Sequence, residues 1–241
     1  MLIAALDCET IPSQSLSEGC LPQFDESDVK TGNMGSEKAG AKIAAERKKF
    51  NEGLDKKMSL DPALCQVCTF CGVLYDTQKK EIKAKTSIQW PPIDGEYDVI
   101  YEACQFLNQS HSNRIPVVSY NGIGFDLPVL RHRAMILDVP MSSSMYDDLT
   151  KKYTNNHHYD LMQWLASWDK TKWKSFDFYL KLFGFEGKPD GVDGSMVYSM
   201  WQAKEYDKIQ KYCESDVANL CRLFERIEAW VVDIVKGGIV L

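Results

Sequence analysis

Two acids stand two residues apart in "LDCET" (6–10), at the end of an apolar run that begins at Leu2. Alternate side chains of a strand share a face, so Asp7 and Glu9 would lie side by side with Cα atoms ~7 Å apart. Burying both carboxylates is costly unless cations neutralise them or the strand ends there. Two more acids occur where ligand sites form. Asp126 in "YNGIGFDLP" follows the apolar run "IPVVSYNG" (115–122) across a glycine-containing turn and opens a helix; α/β folds bind ligands there, beyond the carboxyl ends of strands. Asp216 in "YCESD" follows Tyr212 by four residues on a helical pattern, so both side chains point the same way. Four converging carboxylates suit two-metal phosphodiester hydrolysis. A pair of Mg²⁺ or Mn²⁺ ions ~3.5–4 Å apart takes hard oxygen ligands and cancels the repulsion among the acids. Cations held there keep ionised the carboxylates that would otherwise titrate upward.

The segments between these acids read as an α/β chain. Residues 2–8 form a buried strand, and 13–35, rich in Ser, Gly and acids, show no period and read as loop. From Ser36 to Met58 the chain is strongly helix-forming and basic, with Ser36 as N-cap and a narrow stripe of Ile43, Phe50 and Leu54. "LCQVCTFCGVLYD" (64–76) and "EIKAKTSIQW" (81–90) make a hairpin across a polar turn, and 96–109 has a helical period. After the strand at 115–122, helices are predicted over 125–138, over 175–185 with Gly184 as stop, through Met196, Val197 and Trp201, and from about Tyr206 to Val235. The expected fold is a single α/β domain over 1–241, with a mixed central sheet flanked by helices and a helical, basic insertion at about 13–60.

Bulk properties narrow the function. With 241 residues and 44% hydrophobic residues the chain can bury a real core. A net charge of -6 argues against coating nucleic acid by bulk electrostatics. The opening LIAAL lacks the length and basic flank of a signal peptide, and no later run is apolar enough to span a membrane, so a cytoplasmic protein is expected. Eight scattered cysteines fit a reducing compartment. Basic residues cluster in "ERKKF" (46–50), "KKEIKAK" (79–85), "RHR" (131–133), "KK" (151, 152) and "KTKWK" (170–174), as solvated faces or as parts of a phosphate path. "CQVCTFC" invites a zinc reading, but alternation turns Cys68 away from Cys65 and Cys71, and no fourth ligand is nearby.

"DCET", "NGIGFD" and "YCESD", in that order, resemble the three motifs of DEDD-superfamily exonucleases, in the DEDDy branch marked by Tyr-x-x-x-Asp. "HHYDLM" (157–162), "KSFDFYLKLFGFEGKPDG" (174–191) and "IQKYCESDVANLCRLFERI" (209–227) are similar to predicted stand-alone exonucleases related to the proofreading domain of family B DNA polymerases. The resemblance implies a ribonuclease H-like fold, removal of nucleotides from 3′ ends and two bound Mg²⁺ or Mn²⁺ ions. It implies that Asp7 bridges both metals, that Glu9 and Asp216 complete the nucleophile-side site, and that Asp126 holds the second metal through water. Tyr212 would orient the attacking water, since a phenol titrating near ~10 is a poor base at neutral pH. Thr10, Asn121 and Phe125 would lie beside the terminal nucleotide.

The expected substrate is the 3′ end of single-stranded DNA, with RNA as the alternative because ribonuclease relatives share the acids. A non-catalytic nucleic-acid-binding module of the same fold is the reading from another class. Such a binder gains nothing from an acid cluster beside phosphate. The activity would serve proofreading in trans, repair, recombination or degradation of foreign DNA, alongside replication or repair proteins, with no membrane contact. Asp160 reads either as a structural acceptor or as a fifth site acid. His157 and His158 read as strand-edge or substrate-side residues, because Tyr212 already occupies the place of a histidine base. The basic 36–58 helix reads as a clamp on the strand or as a contact for a replication partner, and "VVDIVKGGIVL" (231–241) as helix end plus an extra strand in preference to a partner-binding peptide.

Overall fold

The computed structural model describes residues 1–91, 95–187 and 194–231. Its strands are β1 (Leu2–Pro12), β2 (Cys65–Asp76), β3 (Glu81–Gln89), β4 (Val117–Ser119) and β5 (His158–Asp160), joined in one sheet of order β3-β2-β1-β4-β5. The β3-β2-β1 half is antiparallel, whereas β4 and β5 run parallel to β1. Parallel neighbours need long crossovers. Helices α2 (Glu96–Ser112), α3 (Asp126–Ile136) and α4 (Ser143–Thr150) supply them, and α5 (Leu161–Leu165), α6 (Phe176–Leu182), α7 (Val197–Gln202) and α8 (Tyr206–Val231) follow. Helix α1 (Ser36–Ser59) lies between β1 and β2.

Residue alternation on β1 divides the core into two layers. Ala4, Leu6 and Cys8 face α2, α3 and α4, packing with Ile100, Leu130 and Met145. Ile3 and Ala5 face α8 and its Cys213, Val217 and Phe224. Asp7 and Glu9 continue the second series, so they emerge toward α8. The register of β1 against β2 shifts between Glu9 and Thr10, whose partners are Thr69 and Val67, leaving Cys68 as the extra residue of a bulge.

That bulge corrects the strand reading of "CQVCTFC". Alternation puts Cys65 and Cys71 on one face, but the extra residue reverses the faces: Cys65 packs on the α2 side, Cys71 on the α8 side and Cys68 in a third cluster with Ile11 and Tyr212. The three thiols point into separate cores.

Other expectations also shift. Gly35 is the residue preceding α1 and no side chain caps it, so Ser36 is the first helical residue and not the N-cap. Of α1 only Met58 is buried; Ile43, Phe50 and Leu54 are half-buried, which matches its weak apolar stripe. Region 13–35 contains two short 3-10 turns, Glu18–Cys20 and Glu26–Asp28. Gly184 ends the α6 region with φ 81° in the left-handed range. Elements α4, β5 and α5, absent from the sequence reading, complete the β4-side edge. The predicted extension of the last helix and the tail strand beyond 231, and "KPDG" (188–191), lie outside the described residues. Among those described, no helix is long and apolar enough to cross a membrane.

Arg133 in the "RHR" run is neither a solvated nor a phosphate-path residue. It is 2% exposed, and its Nε donates to Glu96 Oε1 at 2.7 Å while Nη2 donates to Oε2. Glu96 Oε1 also accepts the Val67 amide at 2.8 Å, and Gln66 Nε2 donates to Oε2 at 3.2 Å. This network ties α2 and α3 to β2 beside the strand that carries the acids.

The candidate active site

The carboxyl ends of β1, β4 and β5 open into a cleft of ≈ 820 Å³ lined by Asp7, Glu9, Asp126, Tyr212 and Asp216. One carboxylate oxygen from each of Asp7, Glu9 and Asp216 lies within 4.8 Å of the other two. Asp216 comes from α8, one turn after Tyr212, which is hydrogen-bonded to it. Burial first, then the charges of Glu9, Asp216 and Asp7, push the Tyr212 phenol well above its ordinary range. It therefore stays a neutral hydroxyl.

Asp126 approaches from the other face of the sheet. It is 3% exposed and accepts a hydrogen bond from the Cys8 thiol at 3.3 Å, on the side of β1 opposite Asp7 and Glu9. Burial pushes its carboxyl up to about 6, partly offset by the Cys8 hydrogen bond. Asp126 thus lines the same cleft but stands outside the three-carboxylate group.

The turn carrying Asp126 is held from below. Asp160 accepts from the Asn121 and Ile123 amides at 2.9 and 3.0 Å, and from the Gln163 amide at 3.3 Å as the N-cap of α5. Both its oxygens serve backbone N–H groups, which is the structural reading of this acid. His158 is buried, and burial lowers its pKa, so it is neutral. Its Nδ1 lies 2.7 Å from the Leu149 carbonyl and must carry the proton; Nε2, 2.7 Å from Ser119 Oγ, then accepts the hydroxyl. Ser119 Oγ in turn accepts the Gly122 amide at 3.0 Å. His158 is a brace, not a base. His157 precedes β5, at the end of the sheet opposite the cleft.

Three residues expected beside the substrate have distinct settings. Thr10 borders the cleft, but its hydroxyl donates to the Ser59 carbonyl at 2.6 Å and fastens the end of α1 to β1. Asn121 takes the left-handed φ of 71°, and its buried Oδ1 has no hydrogen-bond partner among the described residues. Phe125 lines the cleft directly before α3.

Sequence reasoning missed the aromatic wall. Tyr120, Phe176 and Tyr198 line the cleft, Tyr120 and Phe176 with ring centroids 4.9 Å apart. Tyr120 hydroxyl donates to the Lys174 carbonyl at 2.7 Å, and Lys174 lines the same wall. Of the basic runs, "KTKWK" reaches the cleft through Lys174, while Lys80 and Lys85 pair with Glu225 and Glu214 of α8. Helix α1 presents Glu52, Asp55 and Lys56 there, a mixed and not a purely basic edge. Tyr120, Phe176 and Tyr198 come from three separated segments, and no local period marks them.

A sequence profile describing predicted 3′–5′ exonucleases related to the exonuclease domain of PolB matches residues 59–235. The chain belongs to this family. Membership places it among 3′–5′ exonuclease-like proteins. The matched span contains Asp126, Tyr212 and Asp216; Asp7 and Glu9 precede it and enter the cleft on the sheet's central strand. Among solved structures, the family B DNA polymerase of Pyrobaculum calidifontis superposes with TM-score 0.56 at 18% identity, over 95% of this chain and 24% of that one. The shared fold is ribonuclease H-like. Escherichia coli exonuclease I, in a zinc-ion-bound complex with single-stranded DNA, gives TM-score 0.40 at 12% identity, over 95% of this chain and 41% of that one. The chain spans about a quarter of the polymerase and about two-fifths of exonuclease I. A comparison with curated proteins finds no match.

Proposed function

We propose that the protein removes nucleotides from the 3′ ends of single-stranded DNA as a DEDDy exonuclease, using two divalent ions, Mg²⁺ or Mn²⁺. The reading rests on one observation above the others: Asp7, Glu9 and Asp216 gather within 4.8 Å, beside a tyrosine hydrogen-bonded to one of them. Carboxylate oxygens are the hard donors that such ions require, and the group comes from two elements fixed against each other, β1 and α8. Bound ions would supply a hydroxide nucleophile and charge neutralisation at the phosphate and leaving oxygen.

The protein's own residues do the rest. Asp7, Glu9 and Asp216 would hold the ion on the nucleophile side, and Asp126, lining the same cleft, would help hold the second. Tyr212, held neutral, orients the attacking water through its hydroxyl and does not remove its proton. Unpaired bases stack on aromatic faces, at ~1–3 kcal/mol per base, so Tyr120, Phe125, Phe176 and Tyr198 favour a single strand. Lys174 and Lys56 offer cations to its backbone. The relation to a DNA polymerase domain favours DNA over RNA.

The test is digestion of 5′-labelled DNA and RNA oligonucleotides of one sequence, single-stranded and duplex, with Mn²⁺ and with chelator, alongside Asp7→Asn. A metal-dependent ladder shrinking from the 3′ end of single-stranded DNA, lost in the variant, is the expected result. A ladder on RNA alone would reassign the substrate, and no ladder on any oligonucleotide would leave a binding module.

A further inference from the structure

At the opposite end of the parallel strands, far from the acids in the topology, three side chains meet that the exonuclease reading does not use. His111 sits in the last turn of α2, Asp148 on α4, and His157 immediately before β5. One donor atom of each lies within 4.8 Å of the other two. His111 Nε2 and Asp148 Oδ2 are 2.9 Å apart, and the imidazole centroids of His111 and His157 are 5.5 Å apart.

We propose that His111, His157 and Asp148 form a structural site for Zn²⁺ or a similar divalent transition metal, with water as the fourth ligand. Zinc takes His nitrogen at ~2.0–2.1 Å and carboxylate oxygen at ~2.0–2.2 Å in tetrahedral sites, which puts donor atoms ~3.3–3.5 Å apart. Closing the present group to that spacing takes side-chain movements of about an ångström, given rotations of half-exposed rings. Two imidazoles and one carboxylate suit zinc far better than Mg²⁺ or Ca²⁺, which favour all-oxygen shells. A helix-terminal histidine pairing with an aspartate would be an ordinary solvent-screened surface ion pair. That account leaves the second imidazole unexplained, since His157 arrives from a different segment.

The location indicates what the metal does. His157 carbonyl accepts the Val117 amide at 2.9 Å, so the ligand lies at the first rung between β5 and β4. Asp148 is adjacent to Leu149, whose carbonyl holds His158. A metal there would pin the end of α2, α4 and the entry to β5 together, and β5 ends at Asp160, which supports the 121–123 turn of the cleft. The site is a clamp on the far end of that support.

The test uses the full chain, stripped with chelator and then loaded with Co²⁺ or Zn²⁺. Tetrahedral Co²⁺ absorbs visible light strongly, whereas octahedral Co²⁺, the geometry that all-oxygen carboxylate and water shells favour, does so weakly. The proposal expects a strong visible band in the wild type and in Asp7→Asn, its loss in His157→Ala and His111→Ala, and one fewer bound zinc per chain in those two variants. A second readout needs no variant: Zn²⁺ should protect His111 and His157 from acylation by diethyl pyrocarbonate, mapped by peptide mass, while His132 stays reactive. A band and a zinc count unchanged in His157→Ala, or unprotected His111 and His157 in zinc-loaded wild type, would overturn it.

Discussion

Cys213 on α8 donates its thiol to the main-chain carbonyl of Asp7 across 3.5 Å. It has two counterparts: Cys68 donates to the Glu9 carbonyl at 3.4 Å and Cys8 to the Asp126 carboxylate at 3.3 Å. Asp7, Glu9 and Asp126 are thus each steadied, through backbone or side chain, by a buried thiol. Burial, reinforced by the nearby acids, holds all three thiols well above the ordinary thiol range, so they remain protonated donors and poor nucleophiles. Of the eight cysteines seven are buried and Cys20 alone is exposed. Titration of the native protein with a thiol reagent at pH 8 should therefore show one fast-reacting group, and eight after unfolding. Two or more fast thiols in the native state would mean that the acid-bearing strand opens readily.

Tyr212 supplies the cleanest separation of positioning from proton transfer. Its phenol is pushed upward by burial and by three carboxylates, so it stays a hydroxyl donor, and the proposed role is positioning. Tyr212→Phe keeps the ring in the apolar cluster with Ile11 and Val197 and removes only the hydroxyl. Turnover should fall by roughly 10²-fold, the usual scale for losing one positioned polar group in such chemistry. The shape of the pH profile should not change. If instead a basic limb present in the wild type disappears in the variant, Tyr212 titrates during the reaction and the positioning role is wrong.

Metal-free stability should carry the mark of Asp126. Burial raises its folded-state carboxyl to about 6 from an ordinary 3.8. Between those values the folded chain binds a proton that the unfolded chain has lost, so stability falls as pH rises through that window and stays lower above it. Asp126→Asn escapes this loss while its amide oxygen still accepts from Cys8. At pH 7 without metal the variant should be more stable, by up to about 3 kcal/mol for a shift of this size. The gain should vanish below about pH 4. Thermal unfolding of both proteins in chelator between pH 4 and 7 measures it; a gap that does not grow with pH would contradict the burial argument.

How far the sequence foretold this molecule depends on the range over which each signal acts. Asp7 and Glu9 on one strand face, and Tyr212 with Asp216 one helical turn apart, follow from local periods of two and four, and the structure gathers three of these side chains. The mixed sheet was legible because β1 and β2 are long enough to show a pattern. Strand β5 has three residues, too few for alternation to register, yet its Asp160 and His158 support the turn that carries Asp126. Arg133 looked like part of a charged run because nothing local marks Glu96, 37 residues earlier, as its partner. Alternation wrongly puts Cys65 and Cys71 on one face because the single-residue bulge at Cys68 is a property of two paired strands. The group of His111, Asp148 and His157 is likewise invisible until three separated segments are folded together.

Glu96 and Arg133 make the strongest stability prediction. Both side chains are 3% exposed and bonded in two places, so removing one charge strands the other in a dry layer. Glu96→Gln should lower unfolding free energy by about 3–5 kcal/mol, the usual cost of an orphaned buried charge. Replacing both, as Glu96→Met with Arg133→Leu, removes the charges but leaves the Val67 amide without the Glu96 oxygen it donates to. An unsatisfied buried donor costs about 1–3 kcal/mol, so the double variant should recover part of the loss and not all of it. Denaturant unfolding of the three proteins decides the matter. A double variant no more stable than Glu96→Gln would show that packing around α2 and α3, and not the stranded charge, sets the cost.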